Sequence, residues 1–246
     1  MAGKRPEVGS STSKDESMTA SSIASPPADK VKSRFLTGLA SSDRATILAA
    51  ASQRRVLASS VVANQGEPAD YLFLLTKGCA RYFYITSEGK KIAFFWLTAG
   101  QICGGAALLS EPSNYLVSTE VIKDSYVLVW HRSAIRALAV RFPRLLDNAL
   151  SIASDYLTWY VATHLGLVCH TARQRLAHVL ISLASGIGQK CPGGVHLDIT
   201  NEQLANAANT TVFTASRLVS EWQRRGAVVK SRGKIILRFP RCLFVP

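Results

Sequence analysis

The spacing of apolar residues changes along the chain, and each change predicts a different kind of element. From Val56 to Trp130, short apolar runs such as Tyr71-Leu72-Phe73-Leu74-Leu75 and Ala80-Arg81-Tyr82-Phe83-Tyr84 are separated by turns at Gly66, Gly78, Gly89, Gly100 and Gly104. Ile92 to Leu97 and Tyr126 to Trp130 read as further strands. Many short strands broken by glycine turns predict a sandwich or jelly-roll barrel, a module of sensor size. After a short helix over Ser133 to Val140, the period becomes helical from Pro143 onward. Leu146, Leu150, Ala153, Leu157, Tyr160, His164 and Leu167 alternate at spacings of four and three, a heptad seam suited to a two-stranded coiled coil. A second row, Leu145, Ala149, Ile152, Tyr156 and Trp159, predicts that another face of this helix packs on the barrel. Upstream, Arg34 to Arg55 reads as short helices around Phe35, Leu36, Leu39, Ile47 and Leu48. Downstream, Thr171 to Ala184 reads as an amphipathic helix and Gly186 to Gly194 as a loop.

From Asp198 the local signals become specific. Thr200 followed by Gln203 forms a capping box for a short helix containing Leu204 and Ala205, and small Ala205 lets a second helix approach. Asn209 stands where a left-handed turn residue is needed, and Asn tolerates that conformation best after glycine. Thr210 or Thr211 then caps a helix with an apolar stripe of Val212, Ala215, Leu218, Val219 and Trp222. Its other face presents Thr211, Thr214 and Arg217. Arginine can bind guanine bidentately in a major groove, while hydroxyls and helix N-terminal amides suit phosphates. Ala227 to Leu237 reads as strand, basic glycine turn, strand: a wing whose Lys230, Arg232 and Lys234 can meet backbone phosphates. The expected DNA-contacting set is therefore Thr210, Thr211, Val212, Phe213, Thr214, Arg217, Lys230, Arg232 and Lys234.

Charge supports that reading. The net charge of +13 is concentrated at the C-terminus, where residues 170–246 carry eleven Lys/Arg against three Asp/Glu. A basic module attracts a polyanion by counterion release, so double-stranded DNA is the expected partner. A 48% hydrophobic and 18% charged composition fits a soluble globular protein. No apolar run approaches the roughly 18 residues of a membrane span, and no apolar stretch follows Lys4-Arg5 as in a secretory signal. A cytoplasmic location is expected. Residues 1–33, rich in Ser, Ala, Pro and Lys, are expected to be disordered. The five cysteines, Cys79, Cys103, Cys169, Cys191 and Cys242, form no paired motif, so no metal site is expected. No nucleophile elbow, Walker loop or paired acidic motif appears, and adjacent Cys169 and His170 point apart at a helix end. A non-enzymatic protein is expected.

The chain from residue 34 to 242 resembles the cyclic-AMP receptor protein/FNR (Crp/Fnr) superfamily. The matching stretches are Val62-Ala63-Asn64-Gln65-Gly66-Glu67-Pro68-Ala69-Asp70-Tyr71-Leu72-Phe73, Thr76-Lys77-Gly78, Ser87-Glu88-Gly89-Lys90 and Leu97-Thr98-Ala99-Gly100-Gln101-Ile102-Cys103-Gly104. Ala172-Arg173-Gln174-Arg175-Leu176-Ala177 and the Leu204-Ala205…Arg217…Gly226 pattern complete them. The resemblance implies an α+β fold in four parts. These are a tail (1–33), a cyclic-nucleotide-binding-like β jelly-roll barrel (34–142), a dimerisation helix (143–169) and a winged helix-turn-helix (170–246). It implies a homodimer on a palindromic operator, activating or repressing transcription, with RNA polymerase as a further partner. The alternative from another class is a ligand sensor acting through protein contacts.

Departures from the family narrow the effector. The ribose-binding glutamate of cyclic-nucleotide members is replaced by Gly105, and their phosphate-pairing arginine falls near Tyr115, followed by Leu116. Their adenine-reading helix residues correspond to about Tyr160 and Val161. A cyclic phosphate buried without a cation is strongly disfavoured, so cyclic AMP is not expected. No cysteine precedes Cys79, so no iron–sulfur cluster is expected either. A haem-based gas sensor is the alternative left open, with His164 as the histidine nearest the sensor pocket. The effector pocket implied by the resemblance contains Gly104, Gly105, Tyr115, Tyr160 and His164. At the start of the recognition helix, an Arg-Glu pair common in relatives is replaced by Val212 and Phe213, so a different operator preference is expected.

Overall fold

A computed structural model describes residues 31–231 and 233–245. The reading of residues 1–33 as a disordered tail falls mainly outside this range, but its last three residues belong to the packed structure. Val31 and Ser33 are buried, Ser33 caps a 3-10 turn over Arg34–Leu36, and the Val31 carbonyl accepts from Arg44. The Lys32 carbonyl lies so close to Gly100 that a Cβ there would sit 2.2 Å from it. The barrel unit therefore includes residues 31–33, because Val31 joins the core with Phe35, Ile47 and Trp130.

Helix α1 (Ser41–Ala49) follows, and then strand β1 (Ser52–Val56). The sequence predicted helix as far as Arg55, so β1 corrects it. Four of its five residues are exposed, and a strand without alternating burial carries no periodic signal. It pairs antiparallel with β6 (Ser118–His131) from Ser52↔Val129 to Val56↔Ser125. The sheet order is β1-β6-β3-β4, with β3 spanning Tyr71–Ile85 and β4 Lys91–Thr98. Short β2 (Val61–Ala63) pairs with β6, and β5 (Ile102–Cys103) with β3. Residues Leu72 to Leu75 are all buried because the two faces of β3 meet different cores. Phe73 and Leu75 point into the barrel with Val127 and Val129, whereas Leu72 and Leu74 join Phe35, Ile47 and Trp130 under the helices. At Gly78 (φ +105) a Cβ would lie 1.9 Å from the Ser125 hydroxyl, so this close strand approach requires glycine.

Helix α2 (Arg132–Arg141) leads to α3 (Arg144–Cys169), the longest helix, which starts at the turn marked by Pro143. The two predicted stripes separate as expected. Leu145 is buried, and Tyr156 and Trp159 pack edge-on against Phe95. Asn148 donates to the Phe35 and Thr37 carbonyls at 2.9 Å each, and Arg34 pairs with Asp155, fixing α3 on the barrel. The seam is left uncovered: Leu150 is 72% exposed and Leu157 62%.

The C-terminal unit runs α4 (Ala172–Gly186), β7 (Gln189–Cys191), β8 (Gly194–Asp198), α5 (Asn201–Ala207), α6 (Val212–Arg224), β9 (Val228–Ser231) and β10 (Lys234–Leu237). The sequence read 186–194 as a loop, but it contains β7, which forms a hairpin with β8 and widens the wing to a four-stranded sheet, β7-β8-β10-β9. Leu176, Leu180, Leu204, Leu218, Trp222 and Ile235 form one core, and the Trp222 indole donates to the Leu243 carbonyl at 3.1 Å. Trp96 of β4 packs against this same core, joining barrel to winged unit.

Candidate nucleic-acid interface and sensor cavity

The helix-turn-helix is built by local rules. Thr200 accepts from the Gln203 amide at 3.1 Å while Gln203 returns a bond to Thr200, so the predicted capping box starts α5. Asn209 adopts φ 46, the left-handed turn expected of it. Of the two candidate caps for α6 the structure selects Thr211, whose hydroxyl accepts from the Thr214 amide at 3.1 Å and donates to the Thr214 hydroxyl at 2.9 Å. Thr210 is half-buried in the turn, its amide donating to the Ala205 carbonyl.

Ala215, Leu218, Val219 and Trp222 face the core as predicted, but Val212 does not join them: it is exposed, beside Phe213, which is 78% exposed. Thr211, Val212, Phe213 and Arg217 therefore share the outer surface of α6, with Thr214 half-buried at its edge. Lys230 and Lys234 of the wing flank a recess of about 440 Å³ that also takes in Thr200, Asn201 and Ser231. Arg232, assigned to the wing tip by sequence, lies outside the described residues.

Two arginines that sequence reasoning left without a role organise this unit. Arg175 of α4 donates to the Ala208 carbonyl at 3.0 Å, the Asn209 carbonyl at 3.1 Å and the His170 carbonyl at 2.8 Å. It thereby ties the turn between α5 and α6 to the end of α3. Arg173 makes a two-pronged ion pair with Glu221 of α6 at 2.9 and 2.7 Å, and Arg225 also reaches Glu221. The Arg173 hydrogen bond is the main reason the Glu221 carboxyl sits below the usual carboxylate range. Part of the C-terminal positive charge is thus structural rather than available to DNA.

The second site is a cavity of about 880 Å³ between the barrel and α3. Gly104, Gly105, Tyr115 and Tyr160 line it; His164 does not, being exposed and stacked beside Tyr160 with ring centroids 6.3 Å apart. One further turn along α3 carries that histidine past the cavity. Gly104 (φ +78) sits where a Cβ would lie 2.5 Å from the Tyr71 carbonyl. Tyr115, in the place of a phosphate-pairing arginine, is buried, donating to the Tyr71 carbonyl at 2.9 Å and accepting from the Tyr71 amide at 3.0 Å. Among the described residues, Asp147 is the one charged side chain in the lining, and no lysine, arginine, histidine, cysteine or methionine takes part. Burial pushes the Cys103 thiol up to about 12 and raises Cys79 as well, so neither is poised as a thiolate. Among the described residues the lining thus offers a haem iron no histidine, cysteine or methionine, and a cyclic phosphate no counter-charge. Among the described residues no cluster of three or more His, Cys, Asp and Glu could hold a metal.

Comparison with known proteins agrees with both units. Residues 53–142 match the model of the cyclic nucleotide-binding domain, and residues 174–243 match the Crp-like helix-turn-helix domain. The chain is 25% identical over 211 residues to the anaerobic regulatory protein of Bacillus subtilis (strain 168), covering 81% of this chain and 85% of that protein. Its fold is similar to that of the c-di-GMP-responsive global regulator CLP of Xanthomonas campestris, with a TM-score of 0.71 at 17% identity over 80% of this chain and 99% of the other. FixK2 of Bradyrhizobium japonicum gives a TM-score of 0.67 at 21% identity over 78% and 95%. Each family model falls on the unit whose geometry it describes, and the two occur in the order that a sensor coupled to a DNA reader requires; the chain belongs to the Crp/Fnr family of transcription regulators.

Proposed function

We propose that the protein acts as a homodimer that binds a palindromic operator through α6 and the wing, under the control of an effector other than cyclic AMP. The carrying observation is the outward face of α6, where Thr211, Val212, Phe213 and Arg217 stand exposed on a helix held rigidly from behind. Lys230, Arg232 and Lys234 are the phosphate contacts of this reading, and Thr210 and Thr214 border it. The uncovered leucine seam of α3 supports two-fold pairing, which sets two recognition helices about one DNA turn apart. In the effector role we place Gly104, Gly105, Tyr115 and Tyr160, with His164 at the dimer seam rather than against the ligand. The regulator works in the cytoplasm, where its DNA is, and contact with RNA polymerase belongs to its activating mode.

Selection of binding sites from random duplexes, with measurement of the mass of the complex, tests this. The expected result is a two-fold symmetric site bound by two chains, with half-sites unlike those of the cyclic-AMP receptor protein. Equal affinity for every duplex would favour the sensor that acts through protein contacts and overturn the operator reading.

A further inference from the structure

We infer that the cavity between barrel and α3 binds an uncharged, ring-bearing apolar small molecule carrying one hydrogen-bond acceptor. This rests on the effector reading above and gives that effector its chemical class. The size of about 880 Å³ lies in the range of pockets that enclose small organic ligands. Aromatic rings form its walls: Tyr82, Phe94 and Phe95 from the barrel face Tyr156, Trp159 and Tyr160 of α3. Phe95 meets Tyr156 and Trp159 edge-on at 5.0 and 5.1 Å, and Phe94 stacks on Trp159 at 6.2 Å. Planar rings fit such walls by offset or edge contacts.

Charge sets the second limit. Among the described residues an anionic ligand would find no cation in the lining and one carboxylate, Asp147, at its exposed edge. Burying it there would leave its charge unpaired.

The hydrogen-bond inventory sets the third. Tyr115 already has two partners on Tyr71 and offers nothing further inward. Tyr82 and Tyr156 differ: both hydroxyls donate to a single carbonyl, that of Ile102, and only at 3.4 and 3.5 Å. Burial keeps both as neutral phenols, Tyr156 pushed up to about 12. Two donors sharing one distant acceptor are under-used, and a ligand carbonyl or hydroxyl between them would be bonded more closely.

Gly105 adds room. A Cβ built on it meets nothing within 4 Å, so the position that bears glutamate in cyclic-nucleotide members is here open space. The outer rim carries Leu150, Leu157 and Tyr160 of the seam, so in the proposed dimer the second copy closes the cavity over its contents.

Prodan, a neutral naphthalene ketone whose emission shifts to the blue in apolar surroundings, serves as probe on the full-length dimer. We expect saturable binding at one per chain, with neither cyclic AMP nor the anionic dye anilinonaphthalene sulfonate competing. Gly105→Trp fills the open space and should weaken prodan at least about tenfold, while the variant keeps the parent's melting temperature and still sediments as a dimer. Tyr156→Phe should weaken prodan by about three- to tenfold, the worth of one hydrogen bond. It should leave unchanged the affinity for dimethylaminonaphthalene, which lacks the ketone. No saturable binding by the dimer, binding indifferent to Gly105→Trp, or displacement by either anion would overturn the inference. Loss of selective DNA binding with prodan uptake intact would instead remove the operator reading and leave the site standing.

Discussion

Arg217 and Phe213 lie on one exposed face of α6 but carry different kinds of information. The guanidinium can pair with two acceptors on one guanine, whereas the phenyl ring can touch a thymine methyl. Arg217→Ala is expected to cost about 1–3 kcal/mol on the selected operator and to relax discrimination at one base pair. Titration of a panel of single-base variants checks it; equal loss on specific and random DNA would make Arg217 a backbone contact. Its place was legible in the sequence because it lies opposite Ala215, Leu218 and Val219 on a helical period. The exposure of Val212 was misjudged as part of the core stripe, since the first turn of α6 projects beyond the packed layer.

Among elements, the turn and the wing respond differently to substitution. Arg175 holds two carbonyls of the α5–α6 turn from a neighbouring helix, and loss of such charge-assisted bonds costs about 1.5–3 kcal/mol each at most. Arg175→Ala is therefore expected to lower both the melting temperature and operator affinity, because the turn that positions α6 loses its brace. Unchanged thermal unfolding would remove it from that role. Lys234 is exposed at the start of β10. Lys234→Ala is expected to weaken all duplexes alike and to reduce the slope of log affinity against log salt by about 1. A slope equal to the parent's would take the wing off the list of phosphate contacts.

For the whole molecule, α3 has two tasks on two faces. One face is fastened to the barrel by Asn148, Asp155 and the aromatic wall, and the other leaves Leu150, Leu157 and Tyr160 exposed, the seam of the proposed dimer. Leu150→Glu with Leu157→Glu places four like charges in a two-fold seam and should yield monomers by sedimentation. Operator affinity should then fall steeply, while non-specific binding persists. A dimer that survives both changes would locate the interface elsewhere. The same helix forms a wall of the cavity, so a ligand that alters Tyr156 or Trp159 acts on a structure shared with the seam. Trp96 adds a direct contact from barrel to winged unit, one not visible in β4's own sequence pattern.

By itself the sequence determined most of the kinds of element, their order and the capped helix-turn-helix. These follow from residue type at short spacing: heptads, Thr-to-Gln capping boxes and an Asn in a left-handed turn act within a few positions of themselves. Tertiary structure alone decided the rest. It made β1 and the β7–β8 hairpin into strands, since short exposed edges acquire identity from the neighbour they pair with. It turned Arg173 and Arg175 inward and carried His164 past the cavity. It also brought Tyr156 to the carbonyl that Tyr82 reaches and against the ring of Phe95, because residues so distant along the chain meet only when helix and barrel pack.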